Sequence, residues 1–248
     1  MRKHIVVTVV TVVLPLCSVA RANAQAWSDH ARVSINAGVQ QPSTTFSATT
    51  HVPVYEGTST LTTNYTVPVG AFFDADVILR ASGGFGIEIG VSSFSKSQTA
   101  PISGTIPHPF LGNPPRPISG TSGPLERSEV VGHIDAAYVM SAGWIDLAVS
   151  AGPSFFTVNQ DLVADVTFNE SASFDRVTFT GATVTNAQAT KLGFNAGVDV
   201  GIKLSKNVGV GGMVRYSHAS MVFPLQTTSG VSADAGGAHV GGGLRVYF

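Results

Sequence analysis

Asp74 and Asp76 stand two residues apart, and Glu88 follows a short Ser82-Gly83-Gly84 turn that would bring it back beside them. Carboxylates gathered in this way are the raw material of general acid–base chemistry, which needs one group protonated and one ionised near neutral pH. They serve equally well as counter-ions if basic side chains face them. Charges recur at alternate positions through the chain: the acids Asp74, Asp76, Glu88, Asp135, Asp146 and Asp199, and the bases Arg32, Arg80, Lys191, Lys203, Arg215 and Arg245. His133 and His239 share their faces. The even balance of signs favours a network of ion pairs over catalysis. Cys17 is the single cysteine and lies in the N-terminal apolar segment, so thiolate chemistry and cysteine metal sites are excluded. No metal and no cofactor is expected. The 27 glycines do not open a helix anywhere, which leaves no phosphate cradle.

The elements that must position these charges are long strands. In "KLGFNAGVDVGIKL" (191–204), Leu192, Phe194, Ala196, Val198, Val200, Ile202 and Leu204 alternate with Lys191, Gly193, Asn195, Gly197, Asp199, Gly201 and Lys203. A strict period of two over this length gives a strand with two different faces. It is longer than the usual five or six residues of soluble strands and meets the roughly 9–11 that a tilted strand needs to cross a bilayer. Residues 32–40, 72–80, 85–93, 129–140, 144–152, 208–217 and 239–248 alternate similarly, which predicts eight strands. Tight turns at Ser82-Gly83-Gly84, Ser141-Ala142-Gly143 and Ser205-Lys206-Asn207 alternate with long links at 41–70, 97–127, 157–188 and 219–236. The pattern predicts an all-β fold: an eight-stranded antiparallel transmembrane β-barrel with short periplasmic turns and four long extracellular loops. The Pro-rich stretch 102–123 is expected to be irregular. The alternation in "DLVADVTF" and "DRVTFTGATVT" predicts that the third link continues as a hairpin beyond the bilayer.

The N-terminus fits export. Arg2 and Lys3 precede an apolar run from Ile5 to Leu16, and small residues follow as Ala22-Asn23-Ala24 or Ala24-Gln25-Ala26. This is the anatomy of a signal peptide over residues 1–24, with cleavage after 24 or 26, leaving one barrel domain over 27–248. Three of the 14 basic residues lie in that leader, against 15 acidic residues in all, so the balance is mildly acidic and nucleic acid is not an expected partner. Charged residues make up only 12% of the chain, about half the usual share.

A charge on the lipid face of a barrel costs about 2–4 kcal/mol at mid-bilayer. The twelve strand charges are therefore expected in the lumen, which in an eight-stranded barrel is just wide enough for side chains to fill. Inward glycines such as Gly197, Gly201 and Gly211 leave room for long Arg and Lys side chains. In the closing "GGGLRVYF", Leu244, Val246 and Phe248 fall on the lipid side, and Arg245 and Tyr247 on the lumen side. Phe248, Phe85 and Trp144 would form an aromatic girdle.

On these features the chain resembles the small outer-membrane β-barrel proteins of Gram-negative bacteria, of the OmpA and OmpW kind. The resemblance covers the whole mature chain at the level of architecture. It implies that Gly243, Val246 and Phe248 form the C-terminal signal read by the barrel-assembly machinery. It also implies an outer-membrane location with both termini periplasmic, among outer-membrane lipid and lipopolysaccharide. OmpA-like proteins often add a periplasmic peptidoglycan-binding domain; the strand pattern here runs to Phe248, and none is expected.

"RYSHAS" (215–220) resembles the His-x-Ser motif of outer-membrane lipid A deacylases, which are also eight-stranded barrels. That likeness implies Ser220 as nucleophile, His218 as base and Asp234 as the nearest orienting acid. The sequence departs from that family in placing Met221 where an Asn normally follows the Ser. Asp234 lies in a Gly/Ser-rich stretch expected to be too flexible to orient an imidazole. The expected function is therefore a non-enzymatic, monomeric outer-membrane barrel that presents long surface loops to an extracellular ligand or host surface. The alternatives are a narrow porin-like channel for small solutes and a lipid A deacylase-like hydrolase.

Overall fold

The structure, a computed structural model, describes residues 25–42, 45–110, 112, 114–225 and 230–248. The expected signal peptide, residues 1–24, lies outside the described residues. Thirteen strands are present among the described residues, and eight of them close a barrel. These are β2 (Ala31–Pro42), β5 (Gly70–Ser82), β6 (Phe85–Gln98), β9 (Leu125–Ala142), β10 (Ile145–Glu170), β11 (Val177–Lys203), β12 (Val208–Phe223) and β13 (Val231–Tyr247). Each pairs antiparallel with its neighbours, β13 returns to β2, and β6 pairs with β9, so no edge is left open. Gly83 and Gly143 take positive φ in two of the short turns (+56° and +63°), a conformation that glycine adopts without a Cβ penalty. β1 (Gln25–Ala26) adds a short pairing to the end of β9.

The faces are inverted relative to a soluble protein. Phe73 is 65% exposed, whereas its neighbour Asp74 is 3% exposed. Ile35, Phe85, Ile89, Ile134, Leu192, Val214 and Leu244 are likewise exposed, while Arg32, Glu88, Asp135, Arg215 and Arg245 are buried. An apolar belt around a charged interior is the arrangement that a bilayer requires, since every backbone group is paired within the closed barrel. At the short-turn end, Phe85 and Tyr138 pack at 4.8 Å between ring centroids, with Trp144 and Phe248 exposed nearby in the same belt.

The long links are more ordered than their composition suggests. β3 (Thr45–Val54), β4 (Gly57–Thr66), β7 (Pro101–Pro107) and β8 (Pro115–Thr121) form a second sheet in the order β3-β4-β7-β8. The stretch 102–123, expected to be irregular, supplies two of its strands. Pro101, Pro107 and Pro115 stand at strand ends, and Pro117 lies in the edge strand β8, the positions where a missing N–H costs no ladder bond. The expected hairpin of the third link is present: β10 and β11 pair as far as Glu170 and Val177, with two register shifts on the way. One apolar core runs from the barrel into this sheet. It packs Phe46, Leu61, Tyr65, Ile102 and Ile118 of the sheet with Phe72, Phe94, Phe156, Leu162, Met221 and Phe223 of the barrel strands. Burying side chains of this size contributes about 1.5–3 kcal/mol each, which fixes the sheet over the long-loop end.

Candidate functional site: the filled lumen and the outer rim

The lumen is occupied from end to end in layers. At the short-turn end, Trp27 is 0% exposed and packs with Ile78, Ala137, Val139 and Ala148. The segment carrying it is tied down on several sides. Arg80 donates to the Trp27 carbonyl (2.8 Å), Lys203 pairs with Asp29 (2.6 Å), and the His30 amide donates to the Phe248 carbonyl (2.6 Å). Lys203 also lies 3.6 Å from Asp146 and 4.5 Å from the centroid of the Tyr247 ring.

The next layer joins Arg32 and Arg245 to Asp199, with Arg32 at 3.2 Å. Arg215 then bridges Asp74 (2.7 Å) and Glu88 (2.6 Å), and Asn36 donates to Asp74. Asn195 donates to Asp135 (2.7 Å), and Asp76 lines a small cavity with Arg32, Glu88 and Arg215. Further out, Arg127 donates to Glu129 (2.7 Å), to Gln160 and to the Asp234 carbonyl. Glu129 also accepts from Gln40 and from the Gly236 amide. Beyond this layer the interior is mainly apolar, with Phe156, Leu162 and Phe223 buried alongside a few polar groups such as Thr50 and Thr63.

Ten of the twelve expected charges thus face the lumen and one another. Two differ. Arg80 donates to the Trp27 carbonyl at the rim and pairs with no carboxylate among the described residues. Lys191 is exposed: β12 flanks β11 only from Phe194 to Lys203, and Lys191 stands beyond that edge. The carboxylates Asp74, Asp76 and Glu88 do converge, but in a packed interior with Arg215 between them. The pair Arg127–Glu129 escaped sequence reasoning although it continues the inward row of Asp135. Trp27 had no sequence signal, since it precedes the first alternating segment.

At the other candidate site, His218 and Ser220 face outward on β12, and Asp234 lies directly across on β13 in register with Ser220. Asp234 is therefore held in a strand, which corrects the expectation of a flexible loop. The inward residues Val231, Ala233 and Ala235 are buried and carry β13 outward as a strand. Ser220 donates to Asp234 (2.7 Å), and its Oγ lies 3.5 Å from His218 Nε2. Nδ1 of His218 has no hydrogen-bond partner among the described residues. In a working triad the acid holds the imidazole through Nδ1; here Asp234 accepts a hydrogen bond from the serine hydroxyl instead. Met221 points into the apolar core.

Outside the membrane belt, Tyr55 donates to Glu170, which pairs with Arg116 at 2.6 Å. That hydrogen bond to Glu170 raises the phenol pKa, with burial and the glutamate's charge adding to it. Burial likewise pushes up the Tyr65 phenol, whose oxygen accepts from the Val163 amide of β10 (2.8 Å) and whose ring stacks on Phe46.

The closed eight-stranded barrel, apolar without and charged within, defines a transmembrane β-barrel of the outer-membrane kind. No family model matches the sequence, and no curated protein matches it. Among solved structures, Neisserial surface protein A is similar at 13% identity, covering 88% of this chain and 97% of that one, with a TM-score of 0.43. Ail, the attachment invasion locus protein of Yersinia pestis, solved with the heparin analogue sucrose octasulfate, is similar at 10% identity over 87% and 99% of the two chains, with a TM-score of 0.36. The outer membrane protease OmpT of Escherichia coli is similar at 9% identity over 88% and 96%, with a TM-score of 0.40.

Proposed function

We propose that this chain is a non-enzymatic, monomeric outer-membrane protein, both termini periplasmic, whose filled barrel is a rigid stand for the sheet β3-β4-β7-β8 as a recognition surface. The observation that carries the reading is the lumen, filled in turn by Trp27, the ion-pair layers and the apolar core beneath the sheet. The sheet offers exposed Thr45, Ser47, Thr49 and His51 on one face, and an exposed aromatic tip where Phe110 packs edge-on against Phe174. Its partner would be an extracellular ligand or host surface, and Gly243, Val246 and Phe248 would serve the barrel-assembly machinery. In planar bilayers the purified protein is expected to give no steady openings. Stable conductance by the wild type would replace this reading with the narrow channel.

The contact of Ser220 with Asp234 and His218 favours a second reading, a lipid A deacylase-like hydrolase. Against it stands the direction of the Ser220–Asp234 bond, which leaves Nδ1 of His218 unheld. Incubated with lipopolysaccharide in detergent, the protein is expected to release no fatty acid. Release that disappears in Ser220→Ala would move the protein into the enzyme class.

A further inference from the structure

We infer that Glu88, His133 and Asp135 form a binding site for one divalent transition-metal cation, of the zinc class, inside the barrel. The three side chains are buried and offer one nitrogen and two oxygen donors within 4.8 Å of one another. His133 Nε2 lies 3.6 Å from Glu88 Oε1. Ligand atoms around a tetrahedral zinc stand roughly 3.4 Å apart, given metal–ligand bonds near 2.1 Å, so little movement is needed to close the set.

The backbone register explains why these groups meet. Glu88 of β6 is directly opposite Asp135 of β9, and Gly90 is opposite His133. Like charges directly opposed across a ladder are destabilising, and here both are buried. Gly90 admits the ring: a Cβ at that position would come within 2.7 Å of His133 Cε1 and would also strike Nε2. Gly152 similarly clears space beside Asp135.

Two observations independent of the clustering point to a cation as the partner of this cluster. First, His133 Nε2 and Asp135 Oδ2 are buried without a hydrogen-bond partner among the described residues, in side chains 3% and 2% exposed. Buried polar atoms are nearly always satisfied, and exceptions call for an ordered water or an ion. Second, the layer carries excess negative charge. Asp74, Asp76, Glu88 and Asp135 surround Arg215, and Arg32, the second arginine on Asp199, lines the cavity with Asp76, so four acids meet two guanidinium groups. An imidazolium at His133 would add one positive charge; a divalent ion adds two and uses the neutral ring's lone pair.

The supporting contacts are those a metal site uses to fix its ligands. Asn195 donates to Asp135 Oδ1 and is itself positioned by Ser154 (2.9 Å), which leaves Oδ2 free to coordinate. Arg215 donates to Glu88 Oε1, the oxygen 3.6 Å from His133 Nε2, and so holds the carboxylate while its second oxygen would take the ion. Together the three donors make an oxygen–oxygen–nitrogen set suited to zinc, with the first two supplying charge and the third selecting against magnesium and calcium, which prefer oxygen alone. The expected absence of metal rested on the lack of cysteine; this set needs none.

The test uses the full barrel, stripped with chelator in urea, refolded in detergent with Zn2+ and desalted. Elemental analysis is expected to find one zinc retained per chain. The pair of substitutions His133→Gln and Asp135→Asn is expected to lower zinc affinity at least tenfold while the barrel still migrates as a folded, heat-modifiable band. Wild type that retains no zinc overturns the site, as does retention unchanged in the folded double variant. Should the double variant fail to fold, Co2+ loading of the wild type decides: a visible absorption spectrum of a low-coordinate nitrogen–oxygen site supports the assignment, and only the spectrum of hexa-aqua Co2+ overturns it. Neither result bears on conductance or acyl release, so the site and the functional reading fail separately.

Discussion

Arg215→Met is expected to cost the barrel about 3–5 kcal/mol, the range for breaking a buried ion pair by removing one partner. Among the described residues Arg215 is the one guanidinium shared by Asp74 and Glu88, at 2.7 and 2.6 Å, and both carboxylates are buried. Its loss leaves two uncompensated charges in a space that methionine fills with a chain of similar length. The measurement is the urea midpoint of the refolded protein in lipid vesicles, followed by its heat-modifiable migration. Adding Asp74→Asn and Glu88→Gln to the variant should restore most of the loss, because the fault lies in the stranded charges. A single variant within about 1 kcal/mol of wild type would mean that these acids are already neutralised in another way, and the ion-pair layer would lose its structural role.

Trp27→Ala is expected to destabilise the barrel by about 3–5 kcal/mol, the cost of truncating a fully buried large aromatic. Trp27 is sealed among Ile78, Ala137, Val139 and Ala148, and the residues after it anchor to Lys203 and to the Phe248 carbonyl. Conductance should stay absent in this variant. The layers of Asp199 with its two arginines and of Arg215 with its two acids still close the lumen above the gap. The appearance of steady channels would instead make Trp27 the plug and reduce the inner ion pairs to a lining. A variant as stable as wild type would show that the segment is not docked in the barrel.

Much of this protein follows from local pattern alone. Strict alternation placed the eight barrel strands, and the cost of charge in lipid turned Asp74, Glu88, Arg215 and Arg245 inward. The outward face of "SHAS" followed from the same parity. Local pattern could not say that Arg32 of β2 would share Asp199 with Arg245, because that meeting depends on the barrel closing β13 onto β2. Nor could it place Lys191, whose exposure is set by where β12 stops flanking β11. The second sheet was hidden because its apolar residues, Ile102, Ile106 and Ile118, are spaced among prolines and serines, and only burial against Phe156 and Leu162 of another hairpin makes them a core. Asp234 looked mobile because its stretch is rich in Gly and Ser, with Gly depleted in strands, yet Ala233 and Ala235 are buried beside Met221 and Phe223. Periodicity is a property of neighbours along the chain, and it determined which way each side chain points. Which side chains then meet was decided by closure of the barrel, since contact across the lumen joins residues more than a hundred positions apart, such as Glu88 and Arg215.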